Sequence, residues 1–301
     1  MQLNRTDLAD FSYFLAIAQH RSFRRAGLDV GVSASALSHS LKGLEARLGV
    51  RLLNRTSRSV TLTAAGEELR AAIASHFEAI GSAVDVLNRY RDDPAGRIRL
   101  NVLEHAATML LAPALPSFIS RYPHIEIDVV VSNDMVDVVE AGADAGIRYG
   151  GTVPEDMVAQ RLSPDMRWVG TSAPSYFERF GAPLHPDDLK SHNCLRFRLG
   201  DDSRYAWEFE REDEDVAVDV PGAITIDNSA LALDLARRGA AIAYVPEPLV
   251  SPYVERGELR IVLEDWASYG PGFHIYYPGR RQLPTAIRLL IDHIRASDWR
   301  A

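Results

Sequence analysis

The chain has 301 residues, 47% hydrophobic and 25% charged, which is ordinary for a globular protein and enough for two or three domains. No apolar run approaches the roughly 20 residues needed to span a bilayer, and "MQLNRTDLAD" lacks the apolar stretch of a signal peptide. The single cysteine, Cys194, leaves no basis for a disulfide framework or a clustered cysteine metal site, so a cytoplasmic protein is expected. The net charge of −8 is unevenly placed. Residues 1–62 hold nine Lys/Arg against four Asp/Glu, a surplus of five that leaves −13 for the remainder. A basic portion in an acidic chain points to nucleic acid, because phosphate attracts Lys and Arg whatever the base sequence.

"TDLADFSYFLAIAQHRSF" predicts an amphipathic helix capped by Thr6, with Leu8, Phe11, Phe14 or Leu15, and Ala18 along one side. "SFRRAGLDVGVS" predicts a short second helix capped by Ser22 and stopped at Gly31, and Ser33 caps a third. In the third, at about 100° per residue, Leu37, Leu41, Leu44 and Leu48 share one side, while Ser35, Ser38, His39 and Lys42 gather opposite. Taken alone, that polar side is equally a solvated helix face. Two short helices joined by a Gly-containing turn match the helix-turn-helix, whose second helix enters a groove about 12 Å wide. Next, "GVRLLNRTSRSVTLT" gives two β-prone runs around a basic turn, a wing able to reach DNA backbone or minor groove. The expected DNA contacts are Ser33, Ala34, Ser35, Ser38, His39 and Lys42 on the helix, and Arg55, Thr56 and Arg58 on the wing.

From Thr63 to about Arg91, Leu69, Ile73, Phe77, Ile80, Val84 and Leu87 recur at spacings of 4, 4, 3, 4 and 3 before "RDDPAG" breaks the helix. A stripe this long usually packs on its own domain, but lying between two domains this one is expected to need a partner.

Beyond the break, strands and helices alternate: "RIRLNVLEH", a helix through "MLLAPALPSFISRY", "IEIDVVVS", "DMVDVVEAG" and "AGIRYG" predict βαβαβ and a parallel sheet. A second such unit runs from about Arg167 to Trp266, with a hairpin in "YAWEFEREDEDVAVDVPGAITID", and the chain returns to the first through "GFHIYYPG" and a final helix. Two α/β subdomains joined by two crossings form a cleft at the strand ends, where ligands of such sheets settle. The candidate ligand contacts are Glu104, His105, Ser132, Asn133, Arg148, Thr171, Ser172, Phe197, Asn228 and Pro246. Each has a plainer alternative: Asn228 and Ser132 as helix caps, Phe197 as core, Arg148 paired with Asp144 or Asp134. Arg148, His105 and the hydroxyl and amide groups favour a small organic anion, against which Glu104 argues.

The stretches "SFRRAGLDVGVSASALSHSLKGLEARLGVRLLNRTSRSVTLTAAGEEL", "HPDDLKSHNCLRFR", "LARRGAAIAYVPEPLV", "GELRIVLEDW" and "YYPGRRQLPTAIRLLIDHIR" resemble LysR-type transcriptional regulators over essentially the whole chain. The resemblance implies a multidomain α/β protein. Its expected parts are a winged helix-turn-helix (1–62), a long linker and dimerisation helix (63–92) and a periplasmic-binding-protein-like effector domain (93–301). Within the last, subdomain I takes about 93–166 and 271–301, and subdomain II about 167–270. It further implies linker helices paired antiparallel in a homodimer or homotetramer, a two-fold symmetric duplex operator, a small-molecule effector, and RNA polymerase as an admissible partner. Gly27 stands where the family more often has Ala, Ala34 where Gln or Pro is frequent, and His39 where Arg is usual. Gly27 is expected to loosen its helix by up to about 1 kcal/mol relative to Ala. His39 lacks the guanidinium fork that reads guanine.

Two readings compete. "SHNC" places His192 near Cys194 as a thiol nucleophile, although neighbours at that spacing diverge on a strand and the resemblance offers no chemistry there. Alternatively, the C-terminal region only oligomerises a DNA-binding protein. No paired His ligand spacing, P-loop or GxGxxG occurs, so neither catalytic residue, metal nor cofactor is expected. "EREDEDVAVD" reads as a solvated hairpin tip.

Overall fold

The computed structural model of the chain describes residues 5–55, 60–85, 87, 93–134, 137–138, 141–154, 157–200, 202–212, 214–279 and 283–297. It divides into two compact units, Met1–Leu87 and Asn88–Ala301.

The first unit contains α1 (Arg5–His20), α2 (Phe23–Val30), α3 (Ala34–Leu48), an antiparallel ribbon of β1 (Leu53–Arg55) and β2 (Val60–Leu62), and α4 (Ala64–Asp85). Ser22 and Ser33 start α2 and α3 by accepting from the N–H of Arg25 (3.4 Å) and Ala36 (3.2 Å), donors that a first helical turn otherwise leaves unpaired. Gly31, at φ 72°, ends α2 in the left-handed region where a Cβ is disfavoured. Phe11, Phe14, Ile17, Ala26, Leu37, Leu41 and Leu44 pack together as the core. Leu8, expected inside, is 50% exposed, because the buried positions at the start of α1 are Asp7 and Asp10. Their carboxylates accept from Arg47, through Nε to Asp7 at 2.9 Å and through Nη2 to Asp10, and Asp10 also accepts from the Ser40 hydroxyl. Charge pairing thus ties α1 to α3 where a leucine contact was expected.

The second unit runs β3 (Ala95–Val102), α5 (Glu104–Ala106), α6 (Ala112–Arg121), β4 (His124–Val131), β5 (Ala145–Tyr149), β6 (Met157–Arg161), β7 (Met166–Ser172), α7 (Pro174–Phe180), β8 (Arg196–Arg198), β9 (Arg204–Tyr205), β10 (Trp207–Arg211), β11 (Glu214–Val218), β12 (Thr225–Ile226), α8 (Ser229–Arg237), β13 (Ala243–Pro246), α9 (Glu247–Glu255), β14 (Arg260–Val262), β15 (Tyr269–Gly270), β16 (Phe273–Pro278) and α10 (Thr285–Ala296). One lobe is a sheet ordered β4-β3-β5-β16-β6, with β3 parallel to β4 and β5, and β16 antiparallel to β5 and β6. Ile98, Leu100, Phe118, Ile147, Phe273 and Leu290 fill its core. Within the segment "DMVDVVEAG", residues 135–136 and 139–140 lie outside the described residues.

The other lobe departs from the expected second parallel sheet: β7 runs antiparallel to β13, β14 and β15. After α7 the chain builds β8 to β12 before β13 returns beside β7, so the strands that flank β7 are far from it in sequence. Parallel pairing survives between β8 and β12. Two connections, β6 to β7 and β15 to β16, join the lobes, and the expected cleft lies where the lobes face each other across residues 104–105 and 228–229.

Candidate nucleic-acid interface and ligand cleft

On α3 the buried stripe Leu37, Leu41 and Leu44 turns Ser35, Ala36, His39 and Lys42 outward. Ser33 and Ala34 are exposed at its start, and the Ser33 and Ser35 hydroxyls lie 2.9 Å apart. His39 and Lys42 have no hydrogen bond or ion pair among the described residues. Two expected contacts are placed differently. Ser38 is half-buried and accepts from Arg55 Nη1 at 3.0 Å. Arg55 also stacks over the Phe23 ring (4.8 Å to its centroid) and lies 3.6 Å from Glu45, whose carboxylate accepts from the Leu52 and Leu53 N–H groups. Arg55 therefore clamps α2, α3 and the ribbon together instead of projecting from a wing. Thr56 and Arg58 lie outside the described residues. Gly27 has a packing reason: a Cβ there would meet the Val32 carbonyl oxygen at 2.5 Å, so the turn between α2 and α3 folds back onto it.

The linker stripe divides in two. Leu69, Ile73 and Phe77 are half-buried against the core of their own unit, whereas Ile80 and Val84 are each 59% and Leu87 56% exposed.

In the cleft, β3 delivers Glu104 and His105 at its end. Glu104 crosses to the other lobe, its carboxylate accepting from Asn228 Nδ2 at 3.0 Å and from the Ser229 N–H at 3.2 Å. His105 is buried, one ring nitrogen bonded to the Tyr149 hydroxyl and the other to Ser229 Oγ at 2.6 Å. Burial pushes its pKa down to about 4, so the ring is neutral, with one nitrogen donating and the other accepting. Asn133 accepts from the Glu104 N–H (3.2 Å) and donates to the Asp227 carbonyl (2.7 Å). Asn228 also caps α8, accepting from the Leu231 N–H at 2.8 Å. Glu104, His105, Asn133 and Asn228 thus meet as a set.

The other cleft candidates do not join them. Ser132 exchanges bonds with Asp134, accepting from its N–H and donating to its carboxylate, both at 3.1 Å. Arg148 is buried, its guanidinium donating to the carbonyls of Ile147 (3.1 Å), Asp134 (3.2 Å) and Asn101 (3.3 Å) and to the Asn101 side chain. Desolvation lowers its pKa, opposed by the charges of Tyr276 and Asp134. Thr171 and Ser172 are sealed inside the second lobe, donating to the carbonyls of Arg260 (3.0 Å) and Ala241 (2.8 Å). Phe197 packs in that lobe's core, and Pro246 is buried opposite Trp168 in the β7–β13 ladder.

The sequence reading missed Tyr149, Trp168 and Ser229. Tyr149 and Trp168 are half-buried, 5.7 Å apart, and Trp168 continues to Tyr244 (5.6 Å) and Tyr205 (6.3 Å). The signal was one residue away: Tyr149 follows Arg148 and, on a strand, points to the opposite face. At the crossing, Trp168 precedes Thr171 and Ser172.

Residues 8–67 match the bacterial regulatory helix-turn-helix protein family of the lysR type, and residues 91–299 match the LysR substrate binding domain. The chain belongs to the LysR family. It is a DNA-binding transcriptional regulator with an effector-binding domain. The HTH-type transcriptional regulator YcaN of Escherichia coli is 38% identical over 97% of this chain and 95% of its own length, and the Escherichia coli regulator PgrR is 35% identical over 97% and 98%. Among solved structures, full-length AphB, the Vibrio cholerae virulence activator, shares the fold with TM-score 0.63 at 23% identity, covering 96% of this chain and 99% of that one. CrgA of Neisseria meningitidis does so with TM-score 0.60 at 24% identity, covering 97% and 99%. In this LysR-family chain the Cys194 thiol is buried and pushed up to about 12, which leaves it protonated and removes the nucleophile of the thiol-enzyme reading. Among the described residues no His, Cys, Asp and Glu cluster could hold a metal, and no helix is long and apolar enough to cross a membrane.

Proposed function

We propose that α3 reads a two-fold symmetric operator in the cytoplasm through Ser35, His39 and Lys42, with Ser33 and Ala34 at the helix start. The observation that carries this reading is the division of α3 into a buried leucine stripe and an outward face whose cation, Lys42, has no ion-pair partner among the described residues. Arg55 and Ser38 hold the helix to the ribbon; Thr56 and Arg58 remain the wing contacts that the family resemblance implies. Lys42→Ala should weaken specific and non-specific DNA to similar degrees and reduce the salt slope by about one per bound site, read by fluorescence anisotropy at several salt concentrations. An unchanged slope would remove Lys42 from the phosphate contacts.

The exposed C-terminal part of α4, Ile80 and Val84, with Leu87 beyond its end, is the surface proposed to pair with a second copy in a homodimer or homotetramer, which would meet RNA polymerase at a promoter. Ile80→Glu should weaken association without unfolding the unit, because a charge in an apolar seam lacks a partner. Ile73→Glu should instead destabilise its own unit. Sedimentation showing an unchanged assembly for Ile80→Glu would move the interface elsewhere.

The effector is proposed to enter the cleft around Glu104, His105, Tyr149, Trp168 and Asn228. With Arg148 committed to carbonyls and His105 neutral, a small organic anion loses the guanidinium on which it was to bind. A C-terminal unit that served only for oligomerisation would show no ligand-dependent rise in melting temperature.

A further inference from the structure

The N-terminus of α8 is where this cleft concentrates donors. The nine-residue helix turns its first N–H, of Ser229, and the Asn228 side-chain amide toward the other lobe, and the aligned peptide dipoles favour negative charge there. A carboxylate already lies on both donors, and it belongs to the chain: Glu104, carried from the opposite lobe at the end of β3. Two further bonds cross between the lobes beside it, His105 to Ser229 Oγ (2.6 Å) and Asn133 Nδ2 to the Asp227 carbonyl (2.7 Å). All of them join residues 104, 105 and 133 to residues 227–229, so these bonds fasten the lobes at one place.

We infer that Glu104 is a built-in occupant of the anion seat at the start of α8, fastening the two lobes without effector and excluding small monocarboxylates from that seat. The fastening stands on the lobe geometry alone. The exclusion rests on the reading of this cleft as the effector site. An effector then acts either by displacing Glu104 from α8 or by binding beside it against Tyr149 and Trp168 without a carboxylate at the seat.

The test uses the full chain and its Glu104→Ala and Glu104→Gln variants, with hydrogen exchange followed at residues 229–232 and 104–107 and sodium acetate as the probe. In Glu104→Ala the start of α8 should exchange about tenfold faster, the loss of one or two charge-assisted hydrogen bonds. Acetate should restore its protection, whereas sodium chloride at equal ionic strength should not. The wild type should gain no protection from acetate. Glu104→Gln keeps a side chain in the seat, so it should exchange faster by a smaller factor and ignore acetate; this variant carries the test if Glu104→Ala fails to fold. Unchanged exchange in both variants overturns the fastening. Acetate that protects the wild type as well as Glu104→Ala, or protects neither, overturns the occupied seat. Failure of the effector reading looks different: a ligand that stabilises the wild type while protecting no amide near residues 104–105, 149 or 227–229 places the effector elsewhere and leaves the fastening intact.

Discussion

In the N-terminal unit two buried carboxylates, Asp7 and Asp10, face one guanidinium, Arg47, so charge is met by charge. In the C-terminal unit the buried polar groups are met by neutral dipoles: His105 holds two hydroxyls as an uncharged ring, and the Arg148 guanidinium is surrounded by carbonyls. The functional surfaces differ in parallel. On α3 the outward side chains of His39 and Lys42 have no hydrogen bond or ion pair among the described residues, which suits the proposed contact with DNA, a polyanion that supplies partners on arrival. In the cleft the polar groups are already bonded to one another across the lobes, so any ligand must compete with bonds inside the chain. The face proposed to meet DNA keeps His39 and Lys42 without partners among the described residues, whereas the two lobes satisfy their facing polar groups across one another.

The largest expected effect tests the neutral character of the C-terminal unit. The folded state holds His105 at about 4, below the ordinary value near 6.5, so below about pH 6.5 the unfolded chain takes up a proton that the folded chain refuses. The contribution is complete above about pH 6.5 and is lost as pH falls toward about 4, by on the order of 3 kcal/mol in all. All four tryptophans lie beyond residue 92, so their fluorescence in urea reports this unit. Between about pH 7 and about pH 5 the wild type should lose about 2 kcal/mol more than His105→Gln, which has no proton to take up. Equal pH slopes would mean that the ring is not held neutral.

Next in size is the charge pairing of the N-terminal unit. Asp10→Ala removes the acceptor of the Ser40 hydroxyl and of one Arg47 N–H, while Asp7 keeps the other, so a loss of about 2 to 3 kcal/mol is expected. Thermal unfolding followed by circular dichroism should show it as a lowered first transition, with tryptophan fluorescence unaffected. A loss under about 0.5 kcal/mol, the scale of an exposed ion pair, would erase the contrast between the units.

What could be read from sequence follows the same division. The caps Ser22, Ser33 and Gly31 and the stripe Leu37, Leu41 and Leu44 were legible, because each is set by local turn chemistry or helical period. Asp7 and Asp10 were not: an acid in a first turn reads as solvent-facing, and its burial depends on Arg47, some 40 residues away. In the cleft the strand ends were legible, which placed Glu104, His105, Asn133 and Asn228 together. The direction of each side chain and its partner 124 residues away were not. Arg148 was read both as a ligand contact and as a partner of Asp144 or Asp134, and for the same reason the sequence did not choose between them. Length and charge suggest reach, whereas Asn101 and the Asp134 carbonyl, brought beside it by the sheet, fix the guanidinium inside.

Gly27 supplies the smallest effect and a conflict of sign. Helix propensity alone makes Gly27→Ala stabilising by up to about 1 kcal/mol, since Ala loses less backbone entropy than Gly. Packing opposes it. The new Cβ would stand 2.5 Å from the Val32 carbonyl oxygen, a main-chain atom that moves only if the turn leading into Ser33 and α3 moves with it, while the Val32 N–H donates to the Gly27 carbonyl at 3.0 Å. Overpacking of this kind costs about 1 to 3 kcal/mol, so subtracting the propensity gain leaves a net loss of up to about 2 kcal/mol. Gly43, in the middle of α3, is the internal control: its added Cβ would meet only a side-chain atom, Arg47 Nη1, at 3.3 Å and no main-chain atom, so Gly43→Ala should be neutral or stabilising by a few tenths of a kcal/mol. Because the turn carries the cap of α3, Gly27→Ala should also lower operator affinity at temperatures where the unit remains folded, and Gly43→Ala should do so far less. Equal stabilisation by both substitutions would show that the turn can stand away from α2, and that propensity, not close approach, governs this position.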